Sequence, residues 1–274
     1  MLGRMTPRHL AVWGDPIAHS KSPRLHAAAY RVLGLDWEYT RRQVDEGGFA
    51  DALASLDGSW LGLSLTMPLK EQAHRAAATR DRHAELTGAV NTLLLTDVVQ
   101  GFNTDVGGII DALGEHGLVD VDRVRVLGAG ATAASAVVAC VELGARSIEV
   151  RARRPERAAT LMALGERLGV DVTADAFDAD AEHVDLTVAT LPSGSALDDG
   201  TAARLAERGG ALFDVAYSPW PSALATAWTG GQAVSGEGML LWQAVRQIRI
   251  FRHGDPTAAL PGEDAVVAAM RAVL

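Results

Sequence analysis

The sequence predicts an α/β protein of two domains: an N-terminal, mostly parallel α/β domain that C-terminal helices return to complete, and a Rossmann-like nucleotide domain. Three observations predict it. Short strand-like runs alternate with helical ones through the first hundred residues, a glycine turn joins a strand to an apolar helix at 124–144, and a second α/β series begins after the polar break LVDVDRV at 118–124. With 274 residues, 48% of them hydrophobic, the chain is long enough to bury two cores of ordinary size.

The elements follow in order. HLAVWG (9–14) reads as a strand, PRLHAAAYRVLG (23–34) as an amphipathic helix and WEYTRRQV (37–44) as a strand. FADALASL (49–56) is a helix, and WLGLSLT (60–66) a strand that runs into Pro68. AVNTLLLTD (89–97) and VVQGFNTD (98–105) give a strand, a turn and a short strand. After the break come the strand VRVLG, a helix over 131–143, the strand SIEVRA (147–152) and a helix over 155–168. VDLTVATL (184–191), a helix around 201–208 and ALFDVAY (211–217) continue the alternation, and the tail from Gly238 is helical, with MLLWQAVRQIRIF (239–251) apolar at helical spacing. The domain boundaries expected are 1–106, completed by 239–274, and 107–238.

Charge narrows the partners. A net charge of −9 argues against nucleic acid, because phosphate binding needs a basic surface. A small anion in a local basic pocket is still allowed, so the expected partners are a small-molecule substrate and at most a second copy of the chain. Cys140 is the single cysteine and lies in an apolar run, which rules out a disulfide framework and predicts a buried thiol. No apolar run is long enough to span a bilayer, and residues 1–10 lack the apolar core of a signal peptide, so a cytoplasmic location is expected. The eight histidines form no metal-binding spacing, and no metal is expected.

In VRVLGAGATAASAVVACVELG (124–144), Gly128, Ala129, Gly130, Ala131, Thr132 and Ala133 spell the GxGxxA fingerprint between a strand and a helix. Gly128 permits the turn, Gly130 lets backbone approach a pyrophosphate, and Ala133 lets helix and strand pack closely, while the helix start offers unpaired N–H groups. The next strand runs into Arg153, Arg154 and Arg157, with Arg151 just before. An NAD site places a carboxylate there for the ribose hydroxyls, whereas an arginine cluster suits a 2′-phosphate, so NADP is expected. The other reading is that these arginines only solvate an exposed loop.

Lysine is scarce. Of the twenty-five Lys and Arg residues only Lys21 and Lys70 are lysines, and an ammonium that can release and regain a proton is what arginine cannot supply. Lys70, in LSLTMPLKEQ (63–72), is therefore a candidate for chemistry. In GDPIAHSKSPRLH (14–26), Ser22-Pro23 reads as a helix start with Ser22 as N-cap and Pro23 at N1, while Ser20 and Ser22 around Lys21 make a carboxylate receptor.

GDPIAHSKSP, LTMPLK, AVNTL, GFNTD, the GAGATA loop and GMLLWQA occur in that order across nearly the whole chain, and together they resemble shikimate dehydrogenase. The resemblance implies NADP-linked reduction of 3-dehydroshikimate to shikimate in a cleft between the domains. It implies that Ser20 and Ser22 bind the substrate carboxylate and that Lys70 and Asp105 form the catalytic pair. Thr66, Asn91 and Gln243 would bond the substrate hydroxyls, and Tyr217 would border the carboxylate end. Thr190, Val215, Gly236 and Met239 would lie along the nicotinamide pocket. Taken alone, Asp105 could be the cap of the helix that follows it, while also holding Lys70, and Gln243 a helix surface residue.

Three departures from the family pattern stand out. Ser64 replaces a common Asn, Ala152-Arg153-Arg154 replaces Asn-Arg-Thr, and ATLPSG (189–194) differs from the usual run beside the nicotinamide. Two rival readings are a quinate/shikimate dehydrogenase using NAD or NADP, and a non-catalytic metabolite sensor, which would be expected to lose Lys70 or Asp105.

Overall fold

The computed structural model describes residues 8–192 and 194–274. Residues 1–7, part of the stretch read as lacking a signal-peptide core, and Ser193 of ATLPSG lie outside the described residues. The first series is β1 (Arg8–Gly14), α1 (Ser22–Leu33), β2 (Trp37–Gln43), α2 (Phe49–Ala54), β3 (Trp60–Leu65), α3 (Lys70–Ala76), β4 (Thr79–Arg80), α4 (Arg82–Thr87), β5 (Thr92–Leu95) and β6 (Val99–Phe102). After α5 (Thr104–Glu115) come β7 (Arg123–Leu127), α6 (Ala131–Glu142), β8 (Ser147–Arg151), a 3₁₀ turn (Pro155–Ala158), α7 (Ala159–Leu168) and β9 (Asp171–Asp175). The series ends with β10 (Leu186–Ala189), α8 (Asp199–Glu207), β11 (Ala211–Asp214), α9 (Ala223–Ala227) and β12 (Ala233–Ser235), before α10 (Glu237–His253) and α11 (Glu263–Arg271). Two compact units result. One runs to Thr104 and takes in Gln243–Leu274, and the other is Asp105–Trp242.

The first unit holds a mixed sheet in the order β2-β1-β3-β5-β6-β4. Strand β1 is parallel to β2 and β3, whereas β5 is antiparallel to both β3 and β6. Alternation along β3 assigns its faces. Leu63 and Leu65 join Trp13, Phe49, Leu69 and Val90 in a buried cluster, which leaves Gly62 and Ser64 on the opposite face. There α10 lies antiparallel over the strand: Phe251 meets Gly62, and Gln247 bonds Ser64. Four helical residues rise ~6 Å and two strand residues ~6.6 Å, so the two ladders stay in step. Continuing that register carries Gln243 to the level of Thr66.

Beneath α10, His26 is fully buried and its ring stacks on Tyr39 at 3.8 Å between centroids and 15° between planes. Burial pushes its pKa down to about 3, against a smaller opposing effect of its hydrogen bond with Gln247. Desolvation raises Tyr39 well above the usual phenol range, partly offset by its hydrogen bonds with Ser64, to which it donates, and Ser22.

The second unit holds a fully parallel sheet, β12-β11-β10-β7-β8-β9. Its order reverses between β7 and β10, which in a doubly wound sheet opens a crevice at the carboxyl ends of those strands. Helix α6 buries Ala133 through Cys140 as an unbroken run of mostly small residues, so it sits close on the sheet. Cys140 is fully buried, and desolvation pushes its thiol up to about 12.

Several short elements had no readable stripe. Helix α3 buries only Ala73, and β9 has Val172 as its one buried residue. The helix expected over 155–168 divides into the 3₁₀ turn and α7.

Gly62→Ala tests the α10 seat. A Cβ there would stand 2.5 Å from Phe251 Cε1 and 2.6 Å from the Leu93 carbonyl oxygen. The expected loss in urea denaturation is about 2–3 kcal/mol, and a Phe251→Leu background relieves only the ring half of the clash.

His26 gives a pH signature. Its native pKa lies below the unfolded value of 6.5, so the unfolded state binds the extra proton between about 3 and 6.5. Stability therefore falls as pH drops through 6.5, with a slope approaching ~1.4 kcal/mol per pH unit. His26→Phe is expected to be less stable at pH 7 and to lose that share of the slope in urea midpoints taken at pH 5, 6 and 7.

Candidate active site

In the first unit, Ser20 and Ser22 follow β1, Thr66 and Lys70 follow β3, and Asn91 pairs with the end of β3. Backbone bonds stitch this edge together: Thr66 N–H donates to the Trp13 carbonyl at 3.0 Å, Leu65 N–H to Asn91 at 2.7 Å, and Val90 N–H to Lys70 at 3.0 Å. Lys70 is the first residue of α3 and Thr66 begins the turn that leads to it, with Leu69 N–H donating to the Thr66 carbonyl at 2.8 Å. Asn91 is 2% exposed, its Oδ1 accepting the Thr104 N–H at 2.9 Å and its Nδ2 donating to Thr104 Oγ1 at 2.9 Å. That pair anchors the first residue of α5, and Asp105 follows it, buried, in the same first turn.

Three expectations need correcting here. Ser22 is not the N-cap of α1; Lys21 occupies that position, Ser22 is the buried first helical residue and Pro23 is the second. The hydroxyl that serves the helix start is that of Ser20, whose Oγ accepts the Ser22 N–H at 3.3 Å. Asp105 does not cap α5 either, since the helix already begins at Thr104. Gln243 is buried at 9% exposure rather than lying on a helix surface. Lys21, between Ser20 and Ser22, donates to the Leu274 carbonyl at 3.1 Å.

The second unit carries a cavity of about 480 Å³ at the β7/β10 reversal, lined among others by Gly128, Gly130, Arg153, Arg154, Arg157 and Phe177. Gly128 has φ +113°, a left-handed backbone that side chains resist, and an added Cβ would stand 2.5 Å from Thr190 Oγ1. Gly130 is the N-cap of α6 and donates no side chain to the helix start, so the turn opens directly on the first N–H groups of α6. Ala129 lines the cavity, Ala131 and Thr132 begin the helix, and Ala133 is fully buried against the sheet. Phosphate oxygens suit this donor set, and the exposed guanidinium groups of Arg153, Arg154 and Arg157 suit a further phosphate.

Arg151 belongs elsewhere. Its side chain is 1% exposed, it pairs with Glu149, and it donates to the carbonyls of Ala176 at 3.0 Å and Asp180 at 2.6 Å. Glu149 also accepts from the buried Arg125 at 2.6 Å. Glu149 and Arg151 share a face of β8, so the guanidinium turns away from the cavity and holds the 176–180 segment instead.

Thr190, Val215 and Gly236 each follow a strand of the parallel sheet, at the ends of β10, β11 and β12. Val215 N–H donates to the Ala189 carbonyl at 2.9 Å, and a Cβ at Gly236 would meet the Val215 carbonyl at 2.1 Å. Met239 lies in the first turn of α10, and Tyr217 is half-buried beyond β11 with its phenol raised by desolvation. Phe177 and Leu197 line the cavity without having been anticipated, while Leu191 and Pro192 line it within ATLPSG, the run expected beside the nicotinamide, just past the end of β10 at the order reversal.

The family model described as the shikimate dehydrogenase substrate binding domain matches residues 12–93. A shikimate dehydrogenase (NADP(+)) from Methanothermobacter thermautotrophicus is 33% identical, covering 89% of this chain and 91% of that protein. The chain belongs to the shikimate dehydrogenase family. Among solved structures, a Mycobacterium tuberculosis shikimate dehydrogenase superposes with a TM-score of 0.84 at 40% identity, covering 97% of this chain and 100% of the other. The Thermus thermophilus shikimate 5-dehydrogenase in complex with NADP(H) and shikimate superposes at 0.80 with 30% identity, over 97% and 100% of the two chains.

The cavity makes one prediction. Replacing Arg153, Arg154 and Arg157 together by Ala is expected to weaken NADPH binding about tenfold or more and to leave NADH binding within about threefold, as read by fluorescence titration.

Proposed function

We propose that this family member reduces 3-dehydroshikimate to shikimate with NADPH, and runs the reverse oxidation with NADP+. The observation that carries the reading is the stitched edge of the first sheet. It groups hydroxyl and amide side chains around the start of α3, where a chain that otherwise writes arginine places Lys70. The unit containing that edge is proposed as the substrate domain and the parallel-sheet unit as the NADP domain, with the cavity beside Gly128 holding the phosphates.

When bound, the nicotinamide supplies a hydride to C3. Negative charge then grows on the C3 oxygen, and the Lys70 ammonium gives that oxygen its proton. Asp105 orients the ammonium of Lys70, and solvent restores the proton after turnover. Ser20 and Ser22 orient the carboxylate, with Tyr217 at that end, while Thr66, Asn91 and Gln243 read the ring hydroxyls. Thr190, Val215, Gly236 and Met239 border the nicotinamide. Relatives named shikimate dehydrogenase (NADP(+)) do not favour the quinate or NAD-linked reading, and retention of Lys70 and Asp105 does not favour the sensor.

A cytoplasmic location is part of the proposal, in keeping with a biosynthetic NADPH enzyme whose one cysteine is a buried free thiol. So is assembly no larger than a homodimer, measurable by light scattering. Among the described residues, no helix is long and apolar enough to cross a membrane.

NADP+ reduction followed by absorbance, with shikimate and quinate offered separately and NAD+ as control, tests the activity; absence of turnover with every pair defeats it. Lys70→Ala is expected to lower kcat by about 10²–10⁴, and a fall below about tenfold removes lysine as the proton donor.

A further inference from the structure

The hydrogen bonds around Ser64 have only one self-consistent polarity. A backbone carbonyl accepts and never donates, so the end of Gln247 that faces the Asn91 carbonyl at 3.4 Å is its amide nitrogen. Its Oε1 then faces both His26 Nε2, at 3.3 Å, and Ser64 Oγ, at 2.8 Å. An amide oxygen only accepts, so His26 carries its proton on Nε2 and Ser64 donates its single proton to Gln247. His26 Nδ1 is left as an acceptor and takes the Tyr30 hydroxyl proton at 2.9 Å. Tyr39, 2.6 Å from Ser64 Oγ, must therefore donate to it.

This fixes what Ser64 can offer. Its proton is committed to Gln247 and one lone pair to Tyr39, which leaves one lone pair and no proton. Ser64 lies on the same face of β3 as Gly62, one pleat below Thr66, and keeps 3% of its surface exposed. We propose that Ser64 meets a bound ligand as a hydrogen-bond acceptor only, and that Gln247 is the positioning residue that sets this polarity. The inference rests on the reading above that a ring polyol binds over this edge. An asparagine in the same place would present a donor as well as an acceptor, so the serine makes the wall selective for a ligand hydroxyl that donates.

Fluorine can occupy the place of a hydroxyl without donating, which separates the two polarities. The probes are shikimate and its 4-deoxy, 5-deoxy, 4-fluoro and 5-fluoro analogues. Dissociation constants are read by calorimetry on the full chain, because a fluorine near C3 would also disturb the chemistry. At one of the two carbons, both analogues are expected to bind about tenfold or more weakly than shikimate, with the fluoro compound no better than the deoxy compound. Ser64→Ala should bring the deoxy analogue at that carbon to within about threefold of shikimate. Gln247→Met frees the Ser64 proton to turn outward, and there the fluoro analogue should overtake the deoxy analogue.

Comparing ligands within one variant cancels any partial loss of folded protein. Better binding of fluoro than of deoxy in the wild type, at the carbon where Ser64→Ala acts, overturns the acceptor-only assignment. An unchanged fluoro-to-deoxy order in Gln247→Met removes Gln247 from the role. Normal shikimate binding with no preference over either deoxy analogue defeats this inference alone, whereas failure of shikimate to bind defeats the functional reading beneath it.

Discussion

The first unit depends on a side chain that is absent. Because Gly62 carries no Cβ, the Phe251 ring rests directly on β3, and that contact sets both the height and the register of α10. From it follow the pairing of Gln247 with Ser64, and through Gln247 the hold on His26 and on the Asn91 carbonyl. The near match of four helical residues to two strand residues carries the register along without strain. A helix displaced by one residue would turn a different face to the strand and leave Ser64, His26 and the Asn91 carbonyl to seek other partners in a dry layer, where unmet polar groups are costly.

The two sheets handle charge in different ways. At the parallel sheet, what the cavity offers a ligand is mostly backbone: a left-handed glycine, the open start of α6 and strand ends so close that a Cβ at Gly236 would meet the Val215 carbonyl. Side-chain charge is added only at the rim, through Arg153, Arg154 and Arg157. The mixed sheet presents hydroxyls and amides instead, each held by a backbone group or by another side chain. Permanent cations serve well for a permanent phosphate. A group that must pass a proton has to be of another kind, and the one proposed for that task, Lys70, is one of just two lysines in the chain.

What could be read from the chain in advance was local. The GxGxxA turn is legible because strand, glycines and helix are adjacent in sequence, and each residue's task depends on its immediate neighbours. The long strands and helices announced themselves by period. Arg151 misled because it was counted with the loop it precedes. Period-two alternation already placed it beside Glu149, and the register of β7 against β8 sets Arg125 opposite Glu149. The Ser22 cap failed for a related reason, since the Ser-Pro pattern says that a helix begins but not which of two nearby hydroxyls serves its first N–H. The layer around Ser64 could not have been read at all. It joins Tyr39, Ser64, Asn91 and Gln247, with 183 positions between Ser64 and Gln247, and no short-range pattern connects them.

Cys140 has a consequence beyond packing. Reagents attack the thiolate, and burial of Cys140 among the small residues of α6 pushes its thiol up and disfavours that form. Native collisions with an alkylating or oxidising agent therefore pass without reaction. Modification waits until α6 parts from the parallel sheet, and the chain's lone sulfhydryl thus keeps time for the opening of the nucleotide unit, recording each excursion from the native state as a permanent covalent mark.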